Sequence, residues 1–454
     1  MIPRRPINRD VPPTEETEAR REEKEKKPQP KEPQPAAEKG SPQEKPPRQP
    51  KPQTPKLLAG LVVLALVFIV AAVVFATGGD ERSGDHAPAS APAGGAESGG
   101  GASAEVAEAL AFPAFATNNT TRIGGSGPVS NAAGVALAVF PSTTAAQRPA
   151  AVTLVGEEDW TGAIAASVLM APPVRAPILF AAPDEIPQAS EEALAALSPQ
   201  GSKATGGASL FAIGAVALPG DAGRATRVDS GDPAATAAQI ATLRERLAGK
   251  PPEHFLIVSS DEAGFAMPAA AWAARSGDPV LYTEAKKLPP ATAAVLKAHP
   301  KVPVFVLGPE SVVDKGVLKE IGKLSKRVNR VAGKDAVGTA LALARYHQGG
   351  FGWNVNDPGH GFVLARSDSP AGAAAAAPLS ASGTWGPLLL TEDPDRLPPA
   401  VRSYFLDVKP GYTTDPTRAF YNHVWVVGDQ DAIDVAQQAE VNELAELTQI
   451  GGGE

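Results

Sequence analysis

The sequence predicts an α/β fold: three tandem Rossmann-like parallel-sheet units, preceded by a disordered tail and one transmembrane helix. Three observations carry that expectation. Short, continuously apolar segments alternate with Ala-rich segments that open on Pro or Asp, the pattern of parallel strands covered on both faces by helices. The series recurs three times, at offsets of 105 and 103 residues, which is domain-sized spacing. The run 57–76, LLAGLVVLALVFIVAAVVFA, holds 20 residues without a charge. As a helix it spans about 30 Å, the thickness of a bilayer's hydrocarbon core.

Residues 1–56 are Pro-rich and carry 14 Lys/Arg against 10 Asp/Glu. With so few aliphatic side chains they cannot bury enough surface to offset ordering entropy, and disorder is expected. Such a tail suits anionic lipid headgroups or, through PKEPQP, a polyproline-binding partner. Lys51 and Lys56 precede the apolar run and Asp80 and Glu81 follow it, so the positive-inside rule keeps 1–56 in the cytoplasm and sends the rest outside. A cleaved signal peptide would need a short leader, and this one has 56 residues. The Gly/Ala/Ser-rich stretch 77–116 reads as a flexible linker whose first 28 residues reach about 30 Å.

Beyond the apolar run, 28 basic side chains face 40 acidic ones, a balance that argues against nucleic acid as a partner. The absence of Cys removes disulfide scaffolds, thiol catalysis and Cys-ligated zinc or iron–sulfur centres.

Each repeat opens with Arg followed by Ile or Val: RIGGSGPVSNAAGVA from Arg122, RVDSGDPAATAAQIA from Arg227 and RVAGKDAVGTALALA from Arg330. Asp232 before Pro233 is an N-cap followed by Pro at the first helical position; Asp335 caps alone, and Gly127–Pro128 is the weaker version. A first strand follows in each copy (AVTLV at 151–155, FLIVS at 255–259, FVLAR at 362–366), then an Ala-rich helix. A second strand (PILF, PVLY, PLLL) leads to a Pro-led helix at Pro187, Pro289 or Pro398, and a third strand ends at Gly214, Gly308 or Gly428. The units fall at 117–222, 223–326 and 327–447, with a disordered tail at 448–454. Only 13 residues separate Gly214 from Arg227, against 22 between Gly308 and Arg330, so the first unit is expected to lack its closing helix. The third unit carries an insertion, LDVKPGYTTDPTRAFYN, before its last strand.

These three co-linear copies resemble the cell wall-binding repeat 2 family, whose repeat reads roughly RIAGxDRYxTAxxIA, a strand, APILLT, and a strand ending IGG. Arg330, Val331, Ala332, Gly333, Asp335, Thr339 and Ala340 fall on family positions, and the resemblance covers approximately 117–447. It departs where Ala215, Pro309 and Asp429 replace the family's second Gly, and where the family's Arg-Tyr is missing. The resemblance implies three units about a pseudo-threefold axis and non-covalent attachment to an anionic secondary polymer of a bacterial cell wall. It also implies a polymer-facing role near the PILL-type segments, which here are Ile178, Leu179 and Phe180; Val280, Leu281 and Tyr282; and Leu388, Leu389 and Leu390. Read without the family, the same segments are ordinary buried strands.

Two further residue sets are candidates for ligand contact. Arg122, Arg227 and Arg330 recur threefold and offer cations to an anionic polymer; alternatively each forms a structural ion pair at a unit boundary. Asp159, Asp261 and Asp368 sit in loops after the first strand of each unit, the usual ligand edge of a parallel sheet. They either cap the following helices or bind sugar hydroxyls, with Trp160 as a stacking surface. The six His show no HExxH spacing, no GxSxG elbow occurs, and GGSGP at Gly124 lacks the full dinucleotide fingerprint. No catalytic set, metal or cofactor is expected. The reading is therefore a non-catalytic, membrane-anchored, extracytoplasmic protein that binds wall glycopolymer; its rival is an envelope scaffold whose repeats bind another protein.

Overall fold

The computed structural model describes residues 115–220 and 222–451. The tail 1–56, the apolar run 57–76 and nearly all of the linker lie outside them. Among the described residues, no helix is long and apolar enough to cross a membrane.

The described chain opens with β1 (Phe115–Ala116), β2 (Thr120–Ile123) and α1 (Pro128–Val139). Next come β3 (Val152–Val155), α2 (Trp160–Ala166), β4 (Ile178–Phe180), α3 (Gln188–Leu197), β5 (Leu210–Ile213) and β6 (Ala225–Val228). The second series is α4 (Pro233–Ala248), β7 (Phe255–Ser259), α5 (Ala263–Ser276), β8 (Val280–Thr283), α6 (Pro290–Ala298), β9 (Val304–Leu307), α7 (Lys315–Leu324) and β10 (Val328–Val331). The third is α8 (Ala336–Arg345), β11 (Gly361–Arg366), α9 (Pro370–Ala381), β12 (Leu388–Thr391), α10 (Pro399–Asp407), β13 (Gly411–Tyr412), β14 (His423–Val427), α11 (Val435–Ala445) and β15 (Thr448–Gln449). Among the described residues, no helix lies between β5 and β6.

The sheets divide the chain differently from the sequence repeats. Their orders are β4-β3-β5-β6, β8-β7-β9-β10 and β12-β11-β14-β2-β1, all parallel except β1. Each Arg-bearing strand therefore completes the sheet of the preceding unit. The helix after it crosses to the next: α4 packs on β8, α8 on β12 and α1 on β4. The last of these links closes a ring, because β2, from the start of the repeats, pairs with β14, from their end. Two boundaries also move by two residues. Phe115–Ala116, at the end of the linker, pairs antiparallel with β2, and Thr448–Gln449, in the tail, pairs with β13. In both cases an edge of the fold recruits a short extended segment through backbone bonds.

At the centre of the ring α2, α5 and α9 pack on one another, and α9 also packs on α1. The sequence of α9, PAGAAAAAPLSA, explains how: a buried run of Ala lets helix axes approach closely. Ala373 to Ala377 are at most 2% exposed, so the helix is buried all round. No direction is left in which a longer side chain can escape. Ala374→Leu is therefore expected to lower stability by about 1–3 kcal/mol or more through overpacking, read as a lower denaturation midpoint.

A buried polar knot joins the units at the opposite, amino-terminal side of the second sheet. Asp278 accepts hydrogen bonds from the backbone N–H of His254 (3.0 Å) and from Trp272 Nε1 (2.9 Å), and its Oδ2 lies 3.1 Å from His254 Nδ1. The other ring nitrogen, Nε2, faces the carbonyl of Gly349 at 3.1 Å. Both nitrogens meet atoms that only accept, an arrangement that favours the doubly protonated imidazole. Burial works against that charge, but the hydrogen bond and attraction from Asp278 outweigh it and hold the His254 pKa above the ordinary range. Arg244, also buried, donates to the Pro172 carbonyl at 2.6 Å in the first unit.

Candidate functional site at the carboxyl-terminal rim of the sheets

The threefold Arg residues share one geometry. In each sheet the third strand ends at a Gly with positive φ: +72° at Gly214, +103° at Gly308 and +109° at Gly428. This backbone is easy only for Gly. The Arg on the neighbouring fourth strand donates to the carbonyl it presents. Arg227 Nη1 reaches Gly214 O at 3.0 Å, Arg330 Nη1 reaches Gly308 O at 2.6 Å, and Arg122 Nη1 reaches Gly428 O at 2.9 Å. A second carbonyl completes each fork: Val216, Val313 and Asp429.

The three forks differ in what covers them. Arg122 lies beneath α11, is 1% exposed, and gives its Nε–H to Gln438 at 3.0 Å. Burial lowers its pKa, with Asp429 and Asp434 pulling the other way. Arg330 is half-buried beside the start of α7, and Arg227, in the unit without a closing helix, is exposed. The expected ion pair at each boundary is thus a carbonyl fork, and Arg122 presents no guanidinium to a ligand.

A companion residue follows each Arg by nine positions; of the three, only Thr339 stood out in the sequence, as a family position, and the threefold recurrence went unread. Asn131 accepts from Gly125 N at 2.9 Å, Thr339 from Gly333 N at 3.0 Å, and Thr236 Oγ1 lies 2.8 Å from Ser230 Oγ. These side chains hold the turn between the fourth strand and the crossing helix. The repeated polar residue at that spacing was the available signal.

The second-strand segments give no ligand access through their side chains. Ile178, Leu179, Val280, Leu281, Leu388 and Leu389 are at most 2% exposed. They lie on edge strands β4, β8 and β12, but α1, α4 and α8 cover those edges.

The carboxylates do reach the rim, in three different roles. Asp159 is the N-cap of α2, accepting from Gly162 N at 2.8 Å and Thr161 Oγ1 at 2.9 Å. Exposed Asp261 accepts from Ala285 N at 3.2 Å and so ties two rim loops together. Exposed Asp368 is forked by Arg366, at 3.1 Å from Nε and 2.7 Å from Nη2, which holds its carboxyl below the usual range. Of the two roles left open by the sequence, capping is seen for Asp159 alone; Glu262 and Ser369 hold the cap positions in the other two units. Trp160 is half-buried, set edge-on to Tyr282 at 6.0 Å between ring centroids, and the Tyr282 hydroxyl donates to Thr161 O at 2.7 Å. Beside it, burial and then Glu158 raise the pKa of Glu157. The rim of the first unit therefore offers a fixed indole edge and a row of acceptors. Among the described residues, no group of three or more His, Asp or Glu side chains is placed to hold a metal ion.

Known structures share this architecture. Cwp8 from Clostridium difficile aligns with a TM-score of 0.55 at 18% identity, over 72% of this chain and 52% of that one. Cwp6 from Clostridium difficile aligns with a TM-score of 0.57 at 17% identity, over 72% and 48%. The chain thus spans about half the length of either protein, and at these identities the likeness is one of fold. No curated protein matches in sequence. In sequence, residues 227–318 and 330–437 match the family model described as cell wall binding domain 2 (CWB2), so the family signature lies on the second and third copies of the repeat.

Proposed function

We propose that this module binds bacterial cell-wall polymer non-covalently and, through the apolar run 57–76, ties a single-pass membrane chain to the wall. The observation that carries the reading is the match of two repeats to a cell wall-binding family model within a fold shared with Cwp8 and Cwp6. The module acts outside the membrane, by binding rather than by catalysis. Of the residues raised by the sequence, those with surface access at the rim are Asp159, Trp160, Asp261, Asp368 and Arg227. The carboxylates accept hydrogen bonds from sugar hydroxyls and Trp160 packs on a sugar face, while Arg227 supplies a cation for an anionic polymer. Arg122 and Arg330 serve by holding the strand ends that carry the rim loops.

The test is co-sedimentation of the detergent-solubilised full chain with sacculi, before and after acid stripping of their secondary polymers. Binding is expected to be lost on stripping and weakened by Trp160→Ala. Equal binding to stripped sacculi, or none to either, overturns the reading.

A further inference from the structure

The outer edge of β6 stands in the same position as an edge that, elsewhere in this molecule, carries another strand. Backbone alternation defines it. Leu210 N donates to Arg224 O and Gly214 N to Val228 O, so Arg224, Thr226 and Val228 face β5 while Ala225 and Arg227 face outward. In the third sheet, Val424 N donates to Asn119 O and Gly428 N to Ile123 O, which turns Thr120 and Arg122 outward by the same rule. There the outward edge is filled, with Phe115 of β1 opposite Arg122 in antiparallel register. Arg227 is the register equivalent of Arg122, and among the described residues nothing pairs with its outer side.

The space beside this edge is open and chemically selective. A groove of roughly 500 Å³ runs along Thr226, Arg227 and Val228 and is walled by α4 and α6. Small side chains form part of its lining, Ala235 and Ala238 from α4 and Ala291 and Ala294 from α6, beside the larger Leu243 and Val295. Its charged lining is Arg227 and Arg246, both exposed, with no carboxylate among the lining residues. Main-chain pairing supplies affinity in strand addition, and the groove beside the edge supplies selection. Small walls admit a close backbone approach, and two cations against none of the opposite sign select negative charge.

The geometry points to β6 as a docking edge for an extended, acidic peptide segment of a partner protein, which adds antiparallel to Ala225–Val228 as β1 adds to β2. A flexible anionic polysaccharide would use the two guanidiniums but not the backbone edge, so the register match with β1 favours a peptide.

The probe is a fluorescein-labelled peptide built on the chain's own β1, residues 113–118 (PAFATN) with two glutamates at each end, titrated against the detergent-solubilised full chain. Saturable binding is expected, with a Kd on the order of 10–100 µM. Ala294→Trp, at an exposed site on α6, plugs the groove and is expected to abolish it with unchanged circular dichroism. Arg246→Glu should weaken binding by about fivefold or more. A version N-methylated at alternate amides should bind at least about tenfold more weakly, because strand pairing is blocked while charge is retained. Three results overturn the proposal: no binding, binding that survives Ala294→Trp, or equal affinity of the N-methylated peptide. The last would mark the groove as an anion site of the kind a wall polymer uses, and the peptide reading would fall while the proposed function stood.

Discussion

Arg122→Ala is expected to destabilise the module by about 3 kcal/mol or more, since each buried acceptor left without a donor costs about 1–3 kcal/mol. The side chain serves Gly428 O, Asp429 O and Gln438 Oε1 at 2.6–3.0 Å, and the cavity beneath α11 shuts out the water that would replace it. Three acceptors lose their donor together, at the strand pair that closes the ring. The same substitution at the equivalent positions grades the effect by burial. Arg330→Ala should cost less, since its fork lies half in solvent, and Arg227→Ala should cost under about 1 kcal/mol, since water reaches Gly214 O once the side chain is gone. Denaturant midpoints for the three variants should fall in the order Arg122, Arg330, Arg227. Equal midpoints would show that covering by α11 and α7 does not set the strength of the fork.

The second large effect belongs to Asp278→Ala, expected at about 3–5 kcal/mol, because it strips the counter-charge from buried His254 and orphans Trp272 Nε1. Its pH dependence separates it from a simple packing loss. His254 has a folded pKa raised above its unfolded value, so its contribution is complete below the unfolded pKa of about 6.5. That contribution drains away as pH rises through the raised folded value. The gap between wild type and Asp278→Ala should therefore be widest near pH 6 and narrow toward pH 9. A gap constant across that interval would mean that His254 is neutral in the folded state, despite acceptors at both ring nitrogens. Arg244, the other cation beside Asp278, stays charged throughout and contributes no slope in this window.

What could be read from the sequence was local. Strand and helix identities followed from apolar runs, Pro and Asp starts and Ala-rich helices, and the missing closing helix from a count of residues between Gly214 and Arg227. Pairing between distant segments was not legible. The repeat in sequence begins at the Arg-bearing strand, whereas the sheet ends with it, and nothing in a strand of four residues states which neighbour it will choose. The site shows the same divide. Asp159, Asp261 and Asp368 lie in the same loop of each repeat, but Asp159 is itself the N-cap residue while Asp261 and Asp368 stand one place before theirs. Asp368, with Arg366 two residues before it, is drawn into an ion pair. Asp261 finds the amide of Ala285 across a loop, a partner visible only once the second strand is placed. The recurrence of Arg122, Arg227 and Arg330 was real, and its meaning was a backbone carbonyl that no side-chain pattern displays.

The closure of the ring also sets a timetable for synthesis. Arg122 and its acceptor Gly428 are 306 residues apart. At about 5–20 residues per second, β2 waits roughly 15–60 s on the ribosome for the strand that completes its sheet. Until then α1 can begin to settle on the first sheet while β2, paired only with β1, exposes one unpaired edge, a template for the wrong neighbour. The first two sheets can fold as they emerge; the third can finish only after the last strand is released. A stalled or truncated chain that ends before 423 therefore lacks more than its final unit, because its first strand has no sheet to join.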